Sequence, residues 1–156
     1  LIREISLRTL QKVGGNQTQT ALIRLLEDPE PNVRAAVLKQ LTEESPRKLV
    51  PQIAKYVEGE GNADLVVHAV RCLREAGGRE AVACLKTLIV DPSWQVRAEA
   101  AEAIGDIANN ERGVTSSEKA KAYKVLIETL KDEDSFVVSR AVKGLSEAIS
   151  PAQLNR

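Results

Sequence analysis

The sequence predicts an all-α protein built as a right-handed superhelix of helix pairs, with about four pairs after a leading half-repeat. One phrase recurs along the chain: an aspartate opens it, a Val-Arg or Val-Val pair follows, and an apolar residue ends it. The three clear copies begin at Asp28, Asp91 and Asp132. A chain that repeats one unit stacks its units in a row, so it offers an extended surface rather than an enclosed pocket.

Two weaker copies of the phrase extend the array. Residues 60–73 hold one, with Leu65 in the valine place and Val66 in the arginine place, and Ile2-Arg3 is the tail of another. The apolar residue that ends each copy recurs at intervals of 31, 32, 31 and 41 residues, at Leu10, Leu41, Leu73, Ile104 and Leu145. Near-equal intervals with one longer interval are typical of a helical repeat array that carries one insertion.

Each interval divides into two helices, because apolar residues at spacings of three and four form one buried stripe per helix. One first-helix stripe is Leu49, Val50, Ile53, Ala54 and Val57, and one second-helix stripe is Val96, Ala100, Ala101, Ile104 and Ile107. We expect a half-repeat at 1–14, repeats at 16–44, 45–76, 79–108 and 115–149, and the start of a further helix at 150–156. Neither end carries the polar capping unit of an open array, which predicts a fragment of a longer chain.

Helix start and stop signals agree with these boundaries. Ser45-Pro46 combines an N-cap with proline at the first helical position, and Thr115 with Glu118 has the spacing of a capping box. Two glycine pairs stand where second helices should end, at Gly14-Gly15 and Gly77-Gly78. No stretch of the sequence shows the alternation of a β-strand.

The phrase Asp-Pro-x-x-x-Val-Arg, set in a helix pair of about 31 residues, resembles HEAT repeats over nearly the whole chain. The short, alanine-rich form is similar to the bacterial type that also occurs in the HEAT-like phycobilin lyase subunits. The resemblance implies that the turn aspartate and the helix arginine pair between successive repeats as a ladder. The matching residues are Asp28 with Arg34 and Asp91 with Arg97. Departures at Glu60, Val66 and Val138 put a continuous ladder in question in the middle of the array.

Composition argues against several kinds of partner. The chain has 22 basic and 22 acidic residues, whereas binders of nucleic acid without sequence preference usually carry a basic excess, so nucleic acid is an unexpected partner. Two cysteines and one histidine are too few for a metal site, and we expect no metal and no cofactor. No segment predicts a membrane span or a leader. These features favour a cytoplasmic location without fixing it, because a chain that begins at Leu1 would not reveal a removed leader.

The two cysteines are predicted to lie on adjacent helices. Cys84 falls in a column of apolar residues, which predicts a small buried side chain. Cys72 falls in a less apolar column that also contains Gln40 and Gly144. Two free thiols are favoured, and a disulfide between the cysteines is the alternative.

In HEAT-like proteins the second helices line the concave wall, and the register identifies their solvent-facing residues. One column is basic in every repeat but one: Arg8, Lys39, Arg71, Glu102 and Lys143. Such a row suits an acidic segment or phosphate groups. A spacing of four residues, however, offers each cation a carboxylate on its own helix, as in Lys39–Glu43, Arg71–Glu75 and Lys143–Glu147. A self-neutralised face is favoured, and a ligand-binding ridge is the alternative.

Four further side chains, two on the wall and two in the turns before second helices, are considered for function. His68 shares a column with Glu99, and histidine titrates near neutrality, but it lacks a catalytic partner at motif spacing and is best interpreted as a bystander. Cys72 lies one turn further on, and a Cys–His nucleophile pair would also need an orienting group and a pocket. Trp94 and Phe136 precede second helices, where a packing contact that fixes the turn is favoured over a binding hot spot.

Residues 109–117 form the insertion that lengthens one interval. The insertion interrupts neither helical stripe, which predicts a loop at an edge of the array. Loops on rigid scaffolds often carry contacts, and a tolerated insertion without function is equally compatible. In the second case its deletion should leave thermal stability nearly unchanged.

No phosphate-binding loop, nucleophile elbow or metal-ligand spacing occurs, so we expect no enzymatic activity. The favoured function is a non-catalytic protein–protein interaction scaffold that binds a partner segment, or docks domains of its own parent chain, through the concave wall. The candidate partner-binding residues are Arg8, Lys39, Arg71, Glu102, Lys143, His68 and Trp94. The resemblance leaves two alternatives. One is a lyase-like subunit that holds a cofactor or substrate protein in an apolar pocket near Trp94, His68 and Cys72, and the other is a nucleic-acid-binding module like the HEAT-like DNA glycosylases.

Overall fold

The computed structural model of the chain describes residues 16–44 and 47–148. Within these ranges the chain is helical and contains no β-strand, which confirms the all-α prediction. The helices are α1 (Asn16–Leu25), α2 (Pro31–Glu44), α3 (Val50–Gly59), α4 (Ala63–Ala76), α5 (Gly78–Leu88), α6 (Trp94–Asn109), α7 (Ser116–Thr129) and α8 (Ser135–Ala148). A short 3₁₀ turn, Arg47–Leu49, precedes α3. Four sequence-predicted features lie outside the described residues: the half-repeat at 1–14, the further helix at 150–156, Gly14-Gly15 and Ser45-Pro46.

The helices pack in two layers. Consecutive helices form hairpins, and the second helices α2, α4, α6 and α8 pack each against the next. The first helices α3, α5 and α7 do the same in the other layer. Each hairpin therefore contacts mainly its neighbours, as expected of a superhelical repeat fold. We call the exposed side of the second-helix layer the second-helix wall.

Equivalent positions of successive repeats supply the core between the layers. The buried residues of the first helices include Leu22, Ile53, Leu85 and Leu126, and those of the second helices include Leu41, Leu73 and Ile104. Burying one such side chain contributes about 1.5–3 kcal/mol. Leu145, the equivalent residue on the last described helix, is half-buried.

The helix boundaries follow the predicted signals where the structure describes them. Thr115 and Glu118 form the capping box, in which the Glu118 carboxylate accepts from the Thr115 N–H at 2.8 Å and the Thr115 hydroxyl accepts from the Glu118 N–H at 3.3 Å. Gly77 ends α4 with φ at 63°, and its N–H donates to the Leu73 carbonyl at 2.9 Å. A Cβ at Gly77 would lie 2.7 Å from the Arg112 carbonyl oxygen, so both conformation and space require glycine.

Glycine also sets the closest approach within the second-helix layer. A Cβ on Gly105 of α6 would lie 2.9 Å from the Cα of Gly144 on α8. The two backbones therefore touch, and the side chains that flank this crossing are brought within contact distance of one another.

Candidate binding surface

Two arginines, Arg34 and Arg97, form a ladder that joins successive repeats at the turns before the second helices. Arg34 donates from Nε to the Glu60 carboxylate at 3.0 Å and from Nη1 to the Asp28 carbonyl oxygen at 2.8 Å. Arg97 donates from Nε to the Asp132 carboxylate at 2.9 Å and from Nη1 to the Asp91 carbonyl oxygen at 3.0 Å. Each arginine thus binds the backbone of its own turn and the carboxylate of the next turn. Glu60 supplies one of these carboxylates although it departs from the aspartate of the phrase.

The charged groups of the ladder are held in their ionised forms. The hydrogen bond from Arg97 lowers the pKa of Asp132 and outweighs the opposing effect of burial. Burial alone would raise the pKa of Glu60, but hydrogen bonds from Tyr56, the Asn62 N–H and Arg34 outweigh it and lower that pKa. Burial, together with the 2.6 Å bond that the Tyr56 hydroxyl donates to Glu60, raises the pKa of Tyr56 to about 12. Both carboxylates are therefore anions at neutral pH.

The ladder is interrupted between α4 and α6. Val66, which is buried, stands in the place of Arg34 and Arg97. The carboxylate that this arginine would bind belongs to Asp91, and it accepts the Ser93 N–H at 2.8 Å. Across 16–44 and 47–148, no cationic side chain contacts the Asp91 carboxylate.

Charges on the second-helix wall are paired between helices, which corrects the pairing expected along each helix. Arg71 of α4 donates to Glu99 of α6 at 2.9 Å. Glu102 of α6 accepts from Arg140 and, at 3.2 Å, from Lys143, both on α8. Neighbouring helix axes lie about 8–10 Å apart, so a carboxylate on the next helix is as near as one a turn away. The spacing of residues within one helix cannot reveal a carboxylate on the neighbouring helix.

The predicted basic column does not form a continuous row of free cations. Arg71 and Lys143 each contact a carboxylate on a neighbouring helix, and Glu102 is the carboxylate that Lys143 contacts. Lys39 on α2 is exposed and makes no ion pair within the described part of the chain. His68 is half-buried on α4. Arg8 lies outside the described residues.

An aromatic cluster stands at the end of the wall near α6 and α8. Trp94 is the first residue of α6, Phe136 is the second residue of α8, and their ring centroids are 5.5 Å apart at an interplanar angle of 81°. The Arg140 guanidinium lies 4.7 Å from the Phe136 centroid. Trp94 remains 42% exposed and Phe136 45% exposed. The rings therefore pack across neighbouring repeats and still present about half of their surface to solvent.

Phe136 and Arg140 complete this cluster, although the sequence-based list of binding candidates contains only Trp94. Phe136 and Arg140 are four residues apart on one helix, a spacing that brings side chains together. That spacing is the signal that could have found them.

The cysteines reverse the burial expected from their columns. Cys72 is fully buried and Cys84 is half-buried, and both thiols are free. Burial raises the pKa of Cys72 to about 12 and that of Cys84 to about 11. Both therefore remain protonated at neutral pH, which opposes a Cys–His nucleophile pair of Cys72 and His68 because the thiolate is the reactive form. Cys72 belongs to the hydrophobic core, which the mixed polarity of its column does not reveal.

Two clefts lie outside the second-helix wall, and neither is lined by the residues that the lyase-like alternative requires. A cleft of about 510 Å³ lies beside Arg34, Tyr56 and Glu60. Another, of about 470 Å³, lies between α3 and α5 beside Cys84. Neither cleft includes Trp94, His68 or Cys72, so neither is the pocket that the lyase-like alternative predicts.

The insertion lies at an edge of the array, and it contacts the preceding repeat. The Arg112 carbonyl accepts from the Gly78 N–H at 2.7 Å, and Arg112 Nη1 donates to Glu75 at 3.1 Å. Arg47 donates to the Ala76 carbonyl at 3.1 Å. The insertion thus satisfies the Gly78 N–H and Arg47 satisfies the Ala76 carbonyl, so the insertion is part of the packing between repeats.

Two kinds of site are absent from the described ranges. No group of histidine, cysteine and acidic side chains there is arranged to hold a metal ion. None of the helices in 16–44 and 47–148 combines the length and apolar character that crossing a membrane requires.

Comparison with known proteins finds one family match. Residues 50–116 are similar to the family of HEAT repeats, and the finer likeness to the bacterial short type and the phycobilin lyases stays a prediction. No curated protein sequence matches the chain.

Solved structures share the fold. A designed armadillo repeat protein in complex with the peptide (KR)4 is similar at a TM-score of 0.59 and 20% identity, covering 94% of this chain and 75% of that one. One engineered protein is similar at a TM-score of 0.54 and 22% identity, covering 88% and 41%. Another has a TM-score of 0.55 and 21% identity, covering 93% and 72%. At these identities the likeness shows the fold alone.

Proposed function

We propose that the chain, of which residues 50–116 match the family of HEAT repeats, is a non-catalytic scaffold that binds an extended segment of a protein partner on the second-helix wall. Repeat solenoids commonly serve as protein-interaction scaffolds because their stacked units offer a long continuous surface. A designed repeat protein of similar fold binds the peptide (KR)4, which supports a peptide as the partner. The observation that carries the proposal is the half-exposed pair of Trp94 and Phe136.

The aromatic pair has the properties of a binding anchor. Tryptophan is enriched among the residues that dominate interface energy, and aromatic rings bring large contact area with few rotatable bonds. Trp94 packs against Phe136, Phe136 against Arg140, and Arg140 against Glu102. Because the cluster is already held in place, little side-chain freedom remains to be lost on binding.

The charges of the wall support a protein segment over nucleic acid. Arg71, Arg140 and Lys143 each contact a carboxylate on a neighbouring helix. A phosphate backbone would have to displace Glu99 and Glu102, which repel it. Nucleic-acid binding without sequence preference rests on cations that are free to meet phosphates.

The proposal is tested by selecting displayed random peptides on the immobilised full chain, with counter-selection on Trp94→Ala/Phe136→Ala. Peptides that survive should bind the wild-type chain in fluorescence polarisation and bind Trp94→Ala about tenfold or more weakly, as expected for a hot-spot residue. Far-UV circular dichroism of each variant confirms that the helices are retained.

Ile127→Ala is the matched control, because Ile127 is a large apolar side chain that is 55% exposed on the first helix α7. Peptide affinity should be unchanged in this variant. A selection that yields only peptides bound equally well by wild type and Trp94→Ala would refute the proposal. A salt-sensitive shift of duplex DNA that depends on Arg71 and Lys143 would replace it with the nucleic-acid alternative.

A further inference from the structure

The interruption of the arginine ladder lies in the same turn as the proposed anchor. Asp91 precedes Trp94 by three residues, and the arginine place opposite Asp91 is occupied by Val66. The Asp91 carboxylate therefore has the position of a ladder acid without a ladder cation.

The filled rungs define how such a carboxylate binds a guanidinium. Asp132 accepts the Asp134 N–H at 2.9 Å and uses both oxygens to accept Arg97 Nε and Nη2, at 2.9 and 3.0 Å. Asp91 makes the same turn contact, with the Ser93 N–H at 2.8 Å. The Asp91 carboxylate is thus oriented by the same kind of hydrogen bond from the backbone. The guanidinium of an arginine can bind such a carboxylate through two parallel hydrogen bonds.

The charged residues near the Asp91 carboxylate favour a positively charged ligand. Asp64 and Glu133 are exposed residues of the repeats before and after that of Asp91, and the Glu133 side chain, 91% exposed, lies 3.8 Å from Arg97. The nearby cations are already engaged, Arg97 with Asp132 and Arg140 with Glu102. A basic side chain of a partner would meet the Asp91 carboxylate, which no cationic side chain of the described residues contacts, whereas an acidic one would be repelled.

The aromatic pair supplies the second half of the site. Arg140 already places a guanidinium over the Phe136 ring, so a cation–π contact is present at Phe136. The exposed surface of Trp94, the ring type that binds cations best, is open to a second guanidinium.

We propose that Asp91 and Trp94 together receive an arginine side chain from the bound segment, with Asp91 as its ion partner and Trp94 as its stacking surface. This inference rests on the proposed function and names the chemistry of the partner: an extended peptide with an arginine at its anchor position. Arginine is preferred over lysine because its planar fork both stacks and binds a carboxylate at two points.

The test uses a fluorescein-labelled peptide with arginines at alternate positions and a second peptide in which neutral citrulline replaces every arginine. Wild type should bind the arginine peptide about tenfold more tightly, since a charge-assisted hydrogen bond is lost in the citrulline peptide. Asp91→Asn retains an oxygen for the Ser93 N–H and removes the charge, and it should abolish that preference. Glu80→Gln makes the same change of charge at an exposed first-helix position and should preserve it.

Val66→Arg provides an independent variant, because it supplies the chain's own arginine to Asp91. This variant, checked for helicity, should bind both peptides equally weakly. Undiminished preference for the arginine peptide in Asp91→Asn or in folded Val66→Arg would overturn the inference. If selected peptides bind through Trp94 without any arginine preference, the inference falls and the proposed function stands. If no peptide depends on Trp94, both fall.

Discussion

Gly105→Ala tests how closely α6 and α8 must approach to form the wall. The added Cβ would lie 2.9 Å from the Gly144 Cα, whereas carbon atoms pack best at about 3.5–4.0 Å. Because the obstructing atom is backbone, the helices must separate, and overpacking of this kind costs about 1–3 kcal/mol. The higher helix propensity of alanine offsets about 1 kcal/mol. A clash with backbone places the cost in the upper part of the overpacking range, so we expect the free energy of unfolding to fall by about 1–2 kcal/mol in total.

Thermal and urea unfolding followed by far-UV circular dichroism measure this loss, which corresponds to a fall in Tm of about 2–8 °C for a chain of this length. Gly59→Ala is the control, because Gly59 is the last residue of α3 and an added Cβ there meets nothing within 4 Å. That variant should be unchanged or more stable by up to about 1 kcal/mol. The close-approach argument is refuted if Gly105→Ala is as stable as Gly59→Ala, since helix propensity alone would then explain both.

Two further predictions concern contacts between repeats. Because the folded state lowers the pKa of Asp132, its stabilisation is complete above the ordinary carboxyl pKa of about 4 and is lost as pH falls through the lowered value. Asp132→Asn should therefore cost about 1–3 kcal/mol at neutral pH and progressively less in acid, whereas Glu133→Gln, an exposed neighbour, should show no such trend in urea titrations at several pH values. Excision of residues 110–113 should lower the unfolding free energy by about 1–3 kcal/mol because the Gly78 N–H loses its acceptor. Arg112→Ala, which retains that carbonyl and removes only half-exposed ion pairs, should cost under about 1 kcal/mol, and equal stability of the excised chain and wild type would mean that the insertion is merely tolerated.

The fold is accessible from the sequence because its signals are local. The capping box at Thr115 and the glycine at Gly77 depend on residues within one turn, and the buried stripes depend on the helical period alone. The repeated phrase then fixes which stripes are equivalent. Each of these features can be predicted without knowing the distance between successive repeats.

Apart from the arginine ladder that the family resemblance implies, the contacts between repeats could not be predicted from the sequence. Arg71 finds Glu99 on the next helix instead of Glu75 on its own, because the choice depends on an interhelical distance. Trp94 and Phe136 occupy different register positions, the first and second residues of their helices, so a column alignment does not place them together. The Arg112 carbonyl reaches the Gly78 N–H only because the chain turns back after α6.

The departures from the repeat are the most informative positions for function. Replacing a buried ion pair by a well-packed apolar residue is often neutral or stabilising, so the fold does not require an arginine where Val66 stands. What changes is the environment of Asp91, whose carboxylate contacts no cationic side chain in the part of the chain that the structure describes. Half-exposed rings at Trp94 and Phe136 are likewise not needed to fill the core, which leucine and isoleucine already fill. A repeat that omits its internal cation beside an exposed aromatic pair keeps its stability and gains a surface that is complementary to an arginine of another chain.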